Sequence, residues 1–178
     1  MIDFNFEYKV YGDANKIKGK KILGIFTSRH STNYSKKIVK EIVSNFHDKY
    51  CFMMTYETYL RLDFVEDTPS VVIIFDSDYE KNHLKNKFLR FSLKNELTDL
   101  KLKFLYKDLF IASKSDNLLI LEATKYSKNL NILALYAQEI GKEVYVLPGR
   151  IDSDSSEGTN KLIFDGASPL YTLDLLNV

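Results

Sequence analysis

Four short, almost uninterrupted apolar runs constrain this chain more than any other feature: Lys20 to Phe26, Ser70 to Phe75, Asn117 to Glu122 and Glu143 to Leu147. A strand that is apolar at nearly every position is buried on both faces, so the sheet it joins must be covered on both sides. Parallel neighbours also need crossover connections, usually helices. The segments between the runs supply them. Ser31, Thr32 and Asn33 are cap candidates ahead of Ile38, Val39, Ile42, Val43 and Phe46, which share one helical face. Ser127 or Asn129 caps a second face of Leu130, Leu133, Tyr136, Ala137 and Ile140, with Gly141 at its C′ position. The pattern predicts an α/β fold with a mainly parallel sheet and helices on both faces.

Other segments are less regular. Cys51 to Tyr56 reads as a further strand, followed by a charged, aromatic and glycine-free stretch from Glu57 to Thr68. Residues 79 to 95 read as a helix carrying Lys81, Lys85, Lys87, Arg90 and Lys94, with Asp76, Ser77 and Asp78 as its capping group. Leu100 to Lys107 fits helix or strand, and Tyr106 to Ala112 fits helix. Phe6 to Tyr11 reads as an edge strand closed by Gly12-Asp13, so residues 1–19 form an edge strand or an N-terminal arm. With 178 residues, the whole of 1–178 is expected to be one domain, a size at which folding buries about 70% of the unfolded surface.

The most informative stretch for function is Pro148 to Ala167. Pro148-Gly149 stops a strand, Asp152 to Glu157 form a hydroxyl- and carboxylate-rich loop, and Gly158-Thr159-Asn160 leads into a helical face at Leu162 and Ile163. Gly166 stands where that helix would be capped. A strand, a polar loop and a helix start place ligands at the carboxyl edge of a sheet, and the same residues also read as a well-capped connection. Composition narrows the field. Lys and Arg number 25 against 24 for Asp and Glu, a net charge of +1, so nucleic-acid binding would have to come from a local patch. Cys51 is alone, and His30, His47 and His83 lack metal-ligand spacing, so neither a disulfide nor a metal is expected. No leader-like segment or apolar run of about 18 residues is present, which predicts a soluble, cytoplasmic protein away from membranes. No nucleophile has a recognisable activating base.

The run from Asn117 to Ala167 resembles the DNA-processing protein A family, also called DprA or Smf. Its hallmarks here are Pro148-Gly149, Ser153 to Ser156, Gly158-Thr159-Asn160, Leu162-Ile163 and Gly166-Ala167. Upstream, Thr27-Ser28-Arg29 stands where the family has Gly-Ser-Arg, and the likeness spans roughly residues 20 to 170. The resemblance implies an extended Rossmann-like three-layer fold and single-stranded DNA as partner. It further implies delivery of a RecA-type recombinase during natural transformation and recombination, homodimerisation, and neither a cofactor nor catalytic turnover. By position it assigns DNA contacts to Ser28, Arg29, Lys107, Ser127, Lys128, Asn129, Gly158, Thr159 and Asn160.

The chain departs from the family pattern at three places. The glycine-rich turn after the second strand is replaced by Met53 to Glu57, the Arg-Asn-Arg run by Lys107-Asp108-Leu109, and the Ser-Gly-Ser loop by Ser127-Lys128-Asn129. Tyr56, Tyr106 and Tyr126 are the aromatic residues that could stack bases in place of the lost glycines. Two other functions fit the same residues: a nucleotide-sensing or nucleoside-phosphate-binding protein, and a non-binding scaffold that dimerises or holds a partner protein.

Overall fold

Tyr50–Thr55 is buried at every one of its six residues, as a strand enclosed by neighbours and by helices on both faces must be. In a computed structural model, which describes residues 5–64, 70–76, 88–94 and 97–177, this strand lies near the middle of one eight-stranded sheet. The strands are β1 (Glu7–Tyr11), β2 (Lys21–Phe26), β3 (Tyr50–Thr55), β4 (Val71–Asp76), β5 (Leu89–Lys94), β6 (Asn117–Ile120), β7 (Glu143–Val146) and β8 (Ser168–Pro169). Their order is β1-β5-β4-β3-β2-β6-β7-β8. Only β1 runs antiparallel, against β5, as an edge strand. The other neighbours are parallel.

The helices are α1 (Asn33–Phe46), α2 (Tyr56–Arg61), α3 (Leu100–Lys114), α4 (Lys128–Glu139) and α5 (Glu157–Phe164). One core joins α3, α4 and α5 to the sheet through Leu109, Phe110, Leu130, Leu133 and Leu162. The opposite core holds Val39, Ile42 and Val43 of α1, Tyr59 of α2, and Leu176 from a short 3-10 turn over Leu173–Asn177. Both faces are thus covered, as the apolar runs require. Thr32 caps α1 by accepting the Ser35 N–H, while Gly141 (φ 74°) and Gly166 (φ 109°) close α4 and α5 from the left-handed region, where a side chain would be strained.

Two expectations change and one open reading is settled. Residues 89–94 are a strand and not the end of a helix. Leu89, Phe91 and Leu93 are buried while Arg90, Ser92 and Lys94 are partly or fully exposed, a period of two that outweighs the basic composition. The rest of the expected helix, with Lys81, Lys85 and Lys87, lies outside the described residues, as do Ser77 and Asp78 of the expected cap. Leu100–Lys114 is helical throughout, its ambiguous start held by Asp99, whose carboxylate accepts the Lys101 and Leu102 N–H groups. Finally, α5 starts at Glu157, so Gly158, Thr159 and Asn160 belong to its first turn and not to the loop before it.

Candidate nucleic-acid interface

The sheet order reverses direction at β2, which has β3 on one side and β6 on the other, and this is where open α/β sheets form a crevice beyond the strand ends. The Ser28 N–H donates to the Glu122 carbonyl at 2.9 Å and Leu121 N–H to Phe26 O at 2.9 Å, holding the β2–α1 and β6–α4 loops side by side. The β7–α5 loop closes the third side, with Ala123 N–H donating to Ser155 O at 3.1 Å. A cleft of about 620 Å³ opens between them, lined by Thr32, Tyr34, Leu121, Glu122, Pro148 and Arg150 together with the serine-rich loop.

Glu122 is only 4% exposed and reaches the head of α1. Its Oε2 accepts the Thr32 N–H at 3.0 Å and its Oε1 the Thr32 hydroxyl at 2.5 Å. A carboxylate therefore occupies the position at a helix N-terminus that suits an anion. Tyr34, half exposed, leans over the cleft with its hydroxyl 3.5 Å from Pro148 O.

The hallmark residues brace this cleft more than they line it. The Gly158 N–H donates to Ala123 O at 2.7 Å, and a Cβ on Gly158 would meet Thr124 O at 2.5 Å and Ala123 O at 2.7 Å. Only glycine permits that approach. Thr159 is fully buried and its hydroxyl donates to Ser156 O, while Asn160 donates to Gly149 O at 3.1 Å and accepts the Gly149 N–H at 3.2 Å. Gly149 is itself hemmed in by Ser156, whose Cβ would lie 2.4 Å from a side chain there. The Ser156 hydroxyl donates to Arg150 O at 2.6 Å, so it closes the turn and does not cap α5.

The expected cations divide into two groups. Arg29 and Lys128 are exposed on the β2–α1 loop and at the start of α4, and Ser28 and Ser127 support them. The Ser28 hydroxyl donates to His30 O, and Ser127 Oγ accepts the Thr124 N–H at 3.0 Å. Asn129 donates to Lys101 O, tying α4 to α3. Lys107, by contrast, is 2% exposed and donates to Glu57 Oε1 at 2.9 Å. It joins α3 to α2 and does not offer its charge at the surface. Burial works to raise the Glu57 carboxyl, but the Lys107 ammonium outweighs it and holds the group below its ordinary value. In place of a glycine turn, β3 runs straight into α2, and Thr55 Oγ1 accepts the Thr58 N–H as its cap.

Two cations near the cleft escaped sequence reasoning. Arg150 is bonded through both Nε and Nη2 to Asp152, and Lys125 lies 3.5 Å from Glu157 and 5.4 Å from the centre of the Tyr126 ring. Of the three tyrosines considered for stacking, Tyr106 packs on Phe6 and Tyr56 on Tyr59, while Tyr126 is 78% exposed.

A sequence profile of the family described as DNA recombination-mediator protein A matches residues 84–177, more than half of the chain. The chain belongs to that family. Among solved structures it is similar to DNA processing protein A from Helicobacter pylori, a protein described for its single-stranded DNA binding mode. The TM-score is 0.75 at 20% identity, over 95% of this chain and 84% of the other. It is also similar to DNA processing protein A (DprA) from Streptococcus pneumoniae, with TM-score 0.71 at 21% identity, over 95% of this chain and 65% of that one. A comparison with curated proteins finds no match. The Rossmann-like fold expected from the family hallmarks is therefore the fold observed. Among the described residues, no helix is long and apolar enough to cross a membrane.

Proposed function

We propose that this family member binds single-stranded DNA along the carboxyl edge of its sheet, around the β2, β6 and β7 loops. The observation that carries this reading is the placing of exposed cations beside exposed aromatic rings: Arg29, Lys125, Lys128 and Arg150 with Tyr126 and Tyr34, on the loops and helix starts at this edge. Cations neutralise phosphates and aromatic faces stack on unpaired bases, and the combination favours single strands over duplex. Single-strand binding by the Helicobacter pylori relative supports the same reading. Ser28, Ser127 and Asn129 position the loops, Gly158, Thr159 and Asn160 brace them, and Lys107 acts through α2 packing and not by contact with DNA.

Binding without turnover is part of the same proposal, in keeping with the family's recombination-mediator description. Within DNA processing, the family's recombination-mediator description is in keeping with presenting single strands to a RecA-type recombinase in recombination; action as a cytoplasmic homodimer, and in natural transformation, belongs to the same proposal. Fluorescence anisotropy with labelled oligonucleotides at low salt tests the central reading. Single strands are expected to bind more tightly than a duplex of equal length, and absence of binding to either would refute it. Light scattering tests the dimer, and co-sedimentation with a RecA-type recombinase on single-stranded DNA tests the partner.

A further inference from the structure

Resting on the homodimer reading above, we propose that two copies of this chain associate edge to edge through β1, extending the sheet across a two-fold axis at Tyr8. β1 ends the sheet: it pairs with β5 on one side, and among the described residues no strand lies on the other. In an antiparallel pair successive residues turn their N–H and C=O alternately toward the partner strand and away from it, so about half of the β1 backbone groups face that open side. Such a row is a template for another strand. All five β1 residues are exposed, the large apolar Tyr8, Val10 and Tyr11 included.

The side chains favour β1 of a second copy as the occupant. Phe6, Tyr8 and Val10 share the face covered by α3: Phe6 packs on Tyr106 and Phe110 at 4.9 and 5.3 Å between ring centres, Tyr8 on Phe91 and Phe110 at 5.6 and 5.2 Å, and Val10 stands opposite Phe91. Glu7 and Lys9 alternate to the other face, where Glu7 lies 3.2 Å from Lys94. Antiparallel pairing centred on Tyr8 sets it against the partner's Tyr8, Phe6 against the partner's Val10, and Glu7 against the partner's Lys9, the last two contacts each occurring twice. The aromatic row beneath α3 then continues across the axis, and each Glu7 carboxylate gains a cation. Moving the centre to Lys9 would instead oppose the two Lys9 ammonium groups. Lysine on an open edge deters pairing in general; here it meets an anion in one register and so selects that register. The axis turns the carboxyl edges of the two copies to opposite sides of the extended sheet, so both stay clear of the interface.

Sedimentation velocity on the full chain over a range of concentrations tests this. The wild-type chain is expected to associate, and Glu7→Lys or Lys9→Glu alone to weaken association by about tenfold or more, because each sets like charges together at both symmetry-related positions. Mixing the two variants restores wild-type affinity, since the cations of one chain then meet the anions of the other. Hydrogen exchange needs no substitution: protection of the β1 amides in the wild-type chain rises as it associates. A wild-type dimer that neither substitution weakens, a weakening that mixing does not repair, or β1 exchange that is independent of association overturns pairing through β1 while leaving the homodimer in place. A wild-type chain that stays monomeric at every concentration overturns the homodimer reading and this inference with it.

Discussion

Lys107 is paired with Glu57 at 2.9 Å and only 2% of it is exposed, so its worth is structural. Removing one partner of a buried pair leaves the other uncompensated, at about 3–5 kcal/mol when both are fully buried. A third of the Glu57 side chain is still in solvent, which brings the expectation for Lys107→Met to about 2–3 kcal/mol, read by urea unfolding. DNA affinity per folded molecule should not change. The neighbouring Asp108, which keeps some contact with solvent, is pushed up to about 7 by burial. Lys107 opposes the shift and Glu57 adds to it. The folded state thus holds a proton that the unfolded chain releases near pH 4. Stability is full below that, falls as pH rises towards 7, and is level above. Asp108→Asn should flatten this slope and add about 1–2 kcal/mol at pH 8, discounted for solvent contact. Sequence could align Lys107 with a family cation, but its burial depends on α2 lying where other members have a glycine turn, a tertiary fact that no local pattern carries.

At the scale of single elements, the β7–α5 connection is held by backbone approach and amide pairing. A methyl at Gly158→Ala would press on two carbonyl oxygens, and the expected cost is about 1–3 kcal/mol as α5 moves off the β6–α4 loop. Asn160→Ala leaves the Gly149 N–H and C=O without their partner, an expected loss of about 1–3 kcal/mol. Thermal unfolding checks both, at about 2–4 °C per kcal/mol for a chain of this size. The motif was legible because Pro-Gly and Gly-Thr-Asn are residues the geometry demands, but spacing marks a loop without saying whether its side chains face a ligand or each other. Strand β5 was missed although Leu89, Phe91 and Leu93 alternate, because Arg90 and Lys94 made the segment resemble a solvated helix.

For the whole molecule, the four apolar runs specified a parallel sheet covered on both faces, and the observed order adds what they could not: the reversal at β2 that brings Thr32, Glu122 and Pro148 to one cleft, with Arg29 on the β2–α1 loop beside it. Pairing order depends on long-range contacts, and apolar strands of similar length carry little information about which neighbour each will take. The same scale decides how DNA is held. With a net charge of +1 the chain has no general attraction for nucleic acid, so affinity has to come from the few cations at this edge. The most direct test is the salt dependence of single-strand affinity in the wild-type chain and in Arg29→Ala/Lys128→Ala. Loss of two phosphate contacts predicts a log–log slope shallower by about 1.4 with the fold intact. Undetectable wild-type binding at low salt, or identical slopes for the two proteins, would contradict DNA binding at the carboxyl edge.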